Sequence, residues 1–240
     1  MVNKLMYIGV TYETATVEER ACVSLDKAQK DELKETLRTH LSIKAFAIIT
    51  TCNRTEIYFE SAVVTPHDIQ ELLITHVENR HQIKLSKNVF TTFDQSIDTV
   101  NHLLHVANGL RSAVIGDKQI IHQVKASYLD ALNHGNQGSL LERAFQAVFR
   151  SHKRVSSESL YRQGSTSTAY SSLKMTEKYV GKVAIKHQKV LIIGAGEIAE
   201  DVLKYLPKFP VSEVFIANRT QEKAQKLANR FEAQTYEWRH

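Results

Sequence analysis

The chain has 240 residues, 42% of them hydrophobic and 24% charged, the proportions of a globular protein with one large or two small domains. No apolar run approaches the about 20 residues that a helix needs to span a bilayer. The opening MVNKLMYIGVTYET turns polar too soon for a secretory signal, so a cytoplasmic protein is expected. A formal net charge of +5 permits a nucleic-acid partner without demanding one, and the two cysteines, with no CxxC or Cys/His cluster, exclude a zinc signature.

In chain order, residues 5–12 read as a first strand. Residues 24–41 carry Leu33, Leu37 and Leu41 at helical spacing, with Ser24 or Asp26 as the N-cap. AFAIITT (residues 45–51) is a short apolar strand, and TEIYFESAVV (55–64) alternates and reads as a strand paired with it. A second amphipathic helix follows Pro66, and NVFTTF (88–93) is a fourth strand. The order β-α-β-β-α-β is the ferredoxin-like split motif.

From Asp94 the period is helical. Ile97, Val100, Leu103, Leu104 and Ala107 mark one helix, ended by Gly109. A longer one follows Gly116 through Ile120, Ile121, Val124, Tyr128 and Leu132. A turn cluster at 133–138 precedes helical stretches at 140–159 and 168–183. Arg143, Arg150, His152, Lys153, Arg154 and Arg162 gather in one span, and Lys174, Lys178, Lys182, Lys186, His187 and Lys189 in the next. Each is either a solvated helix face or a surface for an RNA backbone.

KVLIIGAGEIAEDVLKYL (189–206) is a buried strand, a glycine turn and a helix. The pattern Gly194-x-Gly196-x-x-Ala199 stands where a dinucleotide fingerprint requires it, after a strand and opening a helix. Its glycines let the backbone approach a pyrophosphate seated at the helix N-terminus. The second strand, EVFIANRT, ends in Asn218-Arg219-Thr220 rather than in the acidic residue that binds a ribose 2′-OH, and Arg219 suits a 2′-phosphate. NADP is therefore preferred over NAD. QTYEW (234–238) begins a third strand, so the adenosine-side half of a doubly wound domain is expected here. The fold class is α/β: a ferredoxin-like α+β catalytic and substrate domain with added helices (1–160), a connecting helix (161–187) and a partial Rossmann domain (188–240).

The segment richest in chemistry is ITTCNRTEIYF (49–59). It sets Cys52 at a strand end, beside Arg54, in a connection between strands. A thiolate is the attacking species and a nearby cation favours it. The same charge would hold a carboxylate-bearing substrate. The plain alternative is a small core residue, as free cysteine is often buried.

These features together resemble glutamyl-tRNA reductase, the first committed enzyme of five-carbon tetrapyrrole synthesis. TCNRTEIY (51–58) matches that family's nucleophile segment. HLLHVANGLRSAVIGDKQIIHQVK (102–125) is similar to its HLFRVASGLDSxxLGExQILxQVK. IGAGEIAE and ANRT match its NADPH segment, and RSHKRVSSES and GSTSTAYSSL are looser matches.

The resemblance implies that Cys52 captures the glutamyl group as a thioester and that NADPH then delivers hydride to release glutamate-1-semialdehyde. His102 would be a proton carrier or substrate contact, and Thr51, Asn53, Arg54, Ser112, Asp117, Gln119, Gln123 and Ser167 would meet the substrate. Gly194, Ala195, Gly196, Glu197, Ile198, Asn218, Arg219 and Thr220 would hold NADPH. Glutamyl-tRNA(Glu) is the implied partner, with the semialdehyde aminomutase as a second and a homodimer as the family's assembly, although its dimer helix is absent from this sequence.

The chain departs from the pattern at His105, Asn108, Arg111 and Asp117, and at 159–162, where two family glycines are lost. The acyl-transfer half of the chemistry is thus better preserved than the hydride half. The alternatives are an esterase, in which water resolves the thioester, and a paralogue that binds glutamyl-tRNA or a partner without turnover.

Overall fold

A computed structural model describes residues 2–159, 161 and 168–238. The chain divides into two units, Met1–Tyr161 and Arg162–His240.

The first unit is built on a four-stranded sheet of β1 (Lys4–Thr11), β2 (Ala45–Thr50), β3 (Arg54–Ser61) and β4 (Phe90–Phe93), in the order β2-β3-β1-β4. Every neighbouring pair is antiparallel. That is the split β-α-β-β-α-β arrangement the sequence predicts. Successive side chains alternate between the faces of a strand. One face carries Met6, Ile8, Val10, Phe46, Ile48, Ile57 and Phe59, which pack against α1 (Val17–Val23), α2 (Lys27–Thr39) and α3 (Pro66–His81). The other carries Leu5, Tyr7, Ala47, Ile49 and Tyr58, covered by α4 (Ser96–Ala107), α5 (Ile120–Asn133) and α6 (Ser139–Glu158).

Local chemistry sets the helix starts. Asp26 and Gln29 form a capping box on α2, so Asp26 rather than Ser24 is the cap. Pro66 fills the first turn of α3, where its missing N–H is no loss. The seven-residue α1 is an addition to the predicted elements; its own capping box, Thr16 with Glu19, is the sequence feature that marks it.

Alternation in β3 suggests a strand with one wet face, yet seven of its eight positions are buried. The sheet has helices on both sides, so the polar face of β3, Arg54 and Glu56 with Tyr58, lies under the α4–α6 layer rather than in water.

The second unit has a parallel three-stranded sheet, β5 (Lys189–Ile193), β6 (Glu213–Ala217) and β7 (Gln234–Thr235), in that order. Helices α7 (Thr168–Val180), α8 (Glu197–Tyr205) and α9 (Gln221–Arg230) belong to it, and Leu173 of α7 lies in its core with Leu203, Ile216 and Leu227. The helix expected as a connector thus packs as part of this unit.

The apolar run of β5 predicts a strand buried on both faces. Val190 and Ile192 do join the core, but Leu191 is 48% and Ile193 67% exposed. Among the described residues β5 is an edge strand with helices packed on its Val190–Ile192 face.

Candidate active site

Cys52 sits in the two-residue bend between β2 and β3, and its side chain is exposed. The bend is closed by Thr51 N–H donating to the Arg54 carbonyl (2.8 Å), and Asn53 N–H donates to the Thr51 hydroxyl (3.1 Å). Tyr12, just beyond β1, donates its N–H to the Asn53 carbonyl (2.9 Å). The thiol is therefore displayed on a turn tied to the sheet at both ends, where a nucleophile can be reached. The buried core alternative for this cysteine does not hold.

Arg54 does not take the free, substrate-facing position expected of it. Its side chain is 2% exposed, and Nη1 donates to Glu56 Oε1 at 2.9 Å. Its Nη2 donates to the backbone carbonyl of Arg111 in the α4–α5 loop. The physical cause is the strand period: residues 54 and 56 point to the same face, beneath the second helical layer, and a buried carboxylate needs a partner there.

His102 likewise lies inside. It occupies the buried stripe of α4 with Thr99, Leu103 and Val106. Its Nε2 is 3.2 Å from Glu56 Oε1, and its ring packs 4.3 Å from that of Tyr7, centroid to centroid. Among the described residues no hydrogen bond joins it to Cys52.

Glu56 is the centre of this cluster, and its side chain is 0% exposed. Tyr7 Oη donates to its Oε1 (3.2 Å) and Tyr58 Oη to its Oε2 (3.0 Å). Burial alone would push the Glu56 carboxyl up; the Arg54 charge and the hydrogen bonds from His102 and Tyr58 outweigh it and hold the group below the ordinary glutamate range. Burial and then the Glu56 charge raise the Tyr7 and Tyr58 phenols well above their ordinary value, which keeps both as donors. Sequence reasoning left Glu56, Tyr7 and Tyr58 outside the site. The clue was available: Arg54, Glu56 and Tyr58 share one strand face.

Space for the cluster comes from Gly9, paired with Glu56 across β1 and β3. A Cβ there would stand 2.3 Å from Tyr7 Oη and 3.0 Å from Glu56 Cγ.

The α4–α5 loop, pinned by Arg54, gathers other predicted residues. Gly109 turns the chain at φ +75, and a Cβ on it would meet the Asp117 backbone N at 2.9 Å. Gly116 N–H donates to the Gly109 carbonyl (2.9 Å), closing the loop. Ser112 is buried in it, and Asp117 Oδ1 accepts from the Gln119 N–H (2.9 Å) at the start of α5. Gln123 is exposed one turn later. Arg111, where the resembled family has Asp, pairs with Glu13 at 3.0 Å and so ties this loop to the segment after β1. The structure thus joins Thr51–Arg54, the 108–119 loop and, through Glu56, His102. Ser167 lies outside the described residues.

In the second unit the predicted dinucleotide residues also meet. Gly194, at φ +108, donates its N–H to the Ala217 carbonyl (2.8 Å), which brings the glycine turn to the end of β6. Gly196 caps α8, and a Cβ on it would touch nothing within 4 Å. That open space leaves room for a phosphate to approach the backbone. Ala195 is half-buried, and Glu197 and Ile198 lie exposed in the first turn of α8. Asn218 Nδ2 donates to the Thr220 carbonyl (2.9 Å), and Arg219 is exposed with no ion pair among the described residues. These residues fit a phosphorylated dinucleotide. Among the described residues no His, Cys, Asp and Glu cluster could hold a metal, and no helix is long and apolar enough to cross a membrane.

Comparison with known proteins gives the family. Residues 174–240 match the family model of shikimate / quinate 5-dehydrogenase. The glutamyl-tRNA reductases of Pseudoalteromonas translucida and Idiomarina loihiensis are each 34% identical over 226 residues, covering 94% and 93% of this chain and 53% and 51% of theirs. The chain thus spans about half the length of the curated relatives it matches. A solved glutamyl-tRNA reductase from Methanopyrus kandleri is similar at 26% identity with a TM-score of 0.61, covering 98% of this chain and 54% of its own. Residues 8–159 match the family model of glutamyl-tRNAGlu reductase, N-terminal domain, and the chain belongs to that family.

Proposed function

We propose that this chain carries the acyl-transfer site and the cofactor-phosphate site of an NADPH-dependent glutamyl-tRNA reductase. The observation that carries the proposal is Cys52, exposed on a braced turn in a chain of this family. The sulfur attacks the ester carbonyl that joins glutamate to the tRNA ribose. A C–S bond forms, the C–O bond breaks, and the tRNA hydroxyl departs with a proton. Covalent capture turns one hard reduction into two easier steps, since a thioester accepts hydride far more readily than a carboxylate.

NADPH, when bound, supplies that hydride and so yields glutamate-1-semialdehyde, the first step toward tetrapyrroles. Gly194, Gly196 and the α8 N-terminus hold its pyrophosphate, with Ala195, Glu197 and Ile198 beside it. Arg219, Asn218 and Thr220 take the 2′-phosphate end. Thr51, Asn53, Ser112, Asp117, Gln119 and Gln123 line the glutamyl end, with Ser167 as a further contact. Arg54 shapes that end by fixing Glu56 and the Arg111 carbonyl; a substrate carboxylate reaching it competes with Glu56. The semialdehyde then passes to the aminomutase in the cytoplasm.

The test is incubation with glutamate-labelled glutamyl-tRNA, with and without NADPH, followed by acid trapping of protein-bound label. A thioester that is absent in Cys52→Ala and yields semialdehyde only with NADPH is expected. Release of free glutamate regardless of NADPH would replace the reductase with an esterase, and binding without any labelled protein would remove the chemistry altogether.

A further inference from the structure

Helix α5 is fixed at both ends relative to the cysteine turn. At its start, the 108–119 loop is held by Arg54 through the Arg111 carbonyl. Past its far end, the Asn136 carbonyl accepts from the Phe46 N–H (3.1 Å) at the beginning of β2. Between these anchors Ile120, Val124 and Ala131 share a core with Ala47 and Ile49 of β2. The helix therefore runs antiparallel to β2, and its first turns lie toward Thr50, the end of the strand from which Cys52 follows.

The face of α5 turned away from that core carries Lys118, just ahead of the helix, His122 and Lys125, at i, i+4 and i+7 and all exposed. Neither lysine has an ion pair among the described residues, and the carboxylates of this segment are engaged: Asp117 accepts from the Gln119 N–H, and Asp130 pairs with Lys30 (3.4 Å) and Lys34 (3.0 Å). Basic runs elsewhere are partly neutralised, Arg154 by Glu158, Lys174 by Glu177 and Lys204 by Glu200 and Asp201. On the loop's other flank, Asn108 Nδ2 donates to Ser151 Oγ (3.4 Å), which brings the exposed Arg150 of α6 beside the start of the loop.

Resting on the proposed role of Cys52, we infer that Lys118, His122 and Lys125, with Arg150 on the other flank, form the surface that takes the phosphate backbone of the tRNA acceptor end. An ester on a terminal ribose brings its phosphates with it. With the acyl carbon at Cys52, the nucleotide chain behind it leaves across the surface next to the turn. From Lys118 to Lys125 the ridge is about 10 Å long, the span of roughly three phosphates of one strand. Contacts to phosphate set where the RNA lies and read no bases.

The test is fluorescence anisotropy of uncharged, end-labelled tRNA(Glu) with the full chain over a series of salt concentrations. The double variant Lys118→Gln/Lys125→Gln is expected to bind about tenfold more weakly and to lower the slope of log affinity against log salt by about 1.5. Lys118→Arg/Lys125→Arg, which keeps both charges, is expected to bind as the wild type does. So is Lys27→Gln/Lys84→Gln, which removes the same charge from exposed lysines in the helical layer on the other face of the sheet. Wild-type affinity and slope in a folded Lys118→Gln/Lys125→Gln overturn the inference, as does an equal loss in Lys27→Gln/Lys84→Gln, which would make the effect one of net charge. Thioester formation from glutamyl-tRNA separates this surface from the reading it rests on. An unchanged kcat/KM in the α5 variant overturns the surface and leaves the role of Cys52 intact. Binding that depends on Lys118 and Lys125 in a protein that forms no thioester removes that role and upholds the surface.

Discussion

Replacing Gly9 by alanine tests whether the buried cluster depends on the pairing of β1 with β3. The new Cβ would lie 2.3 Å from Tyr7 Oη and 2.8 Å from Tyr7 Cζ, so the ring must move. It has nowhere easy to go: Tyr7 is 0% exposed and packs against Tyr58 and Phe93 at 5.2 Å each and against His102 at 4.3 Å, centroid to centroid. Overpacking of this kind costs about 1–3 kcal/mol. Losing a hydrogen bond to a charged group adds about 1.5–3 kcal/mol. A loss of about 3 kcal/mol or more is therefore expected for the first unit, which corresponds to roughly a hundredfold faster opening. Hydrogen exchange resolved to β1 and β3 peptides of the full chain measures it, and the second unit serves as the internal control. The double variant with Tyr7→Phe removes the hydroxyl that collides, so it should be more stable than the sum of the two single losses by about 1 kcal/mol. Unchanged exchange in Gly9→Ala, or strict additivity in the double variant, would refute the role given to this contact.

Three further outcomes are expected. Glu56 has a folded-state carboxyl held below its ordinary range, so its contribution to stability is complete above the unfolded value of about 4.3 and is lost as pH falls through the lower folded value; acid unfolding of the first unit should steepen there, and Glu56→Gln should flatten that part of the curve. Arg219→Ala should weaken NADPH more than NADH in a fluorescence titration, and equal losses would remove the 2′-phosphate assignment. Gly138→Ala would set a Cβ 2.3 Å from Glu60 Oε1, the oxygen that accepts from Leu141 N–H at the start of α6, and 2.5 Å from Ala45 Cβ, so a melting temperature lower by several degrees is expected.

The strands and their order were legible because each is a short β-rich run bounded by turn residues, and the helices because their leucines recur at the right period. The glycine turn between β5 and α8 was legible because glycine spacing reports backbone geometry directly. The burial of Arg54, Glu56 and His102 was not. Strand alternation shows that residues 54, 56 and 58 share a face, but whether that face meets water depends on a second helical layer contributed by residues 96–158, far along the chain. The same blindness explains β5, whose continuous apolar run reads as buried although Leu191 and Ile193 are exposed.

The two cases have opposite signs and one origin. Periodicity records which side chains travel together, whereas burial is decided by what long-range packing lays over them. A charged residue on a face that turns out to be covered cannot be tolerated alone, because an unpaired buried ion is too costly. Hence the covering layer and the polar face must be matched. Here α4 supplies His102, the α4–α5 loop supplies the Arg111 carbonyl, β1 supplies Tyr7 beside a glycine, and all converge on one strand. An Arg-x-Glu on a central strand is therefore evidence for a covered polar site rather than for a wet edge, and the helix that carries a histidine or tyrosine in its otherwise apolar stripe, as α4 does with His102, is the element to place over it.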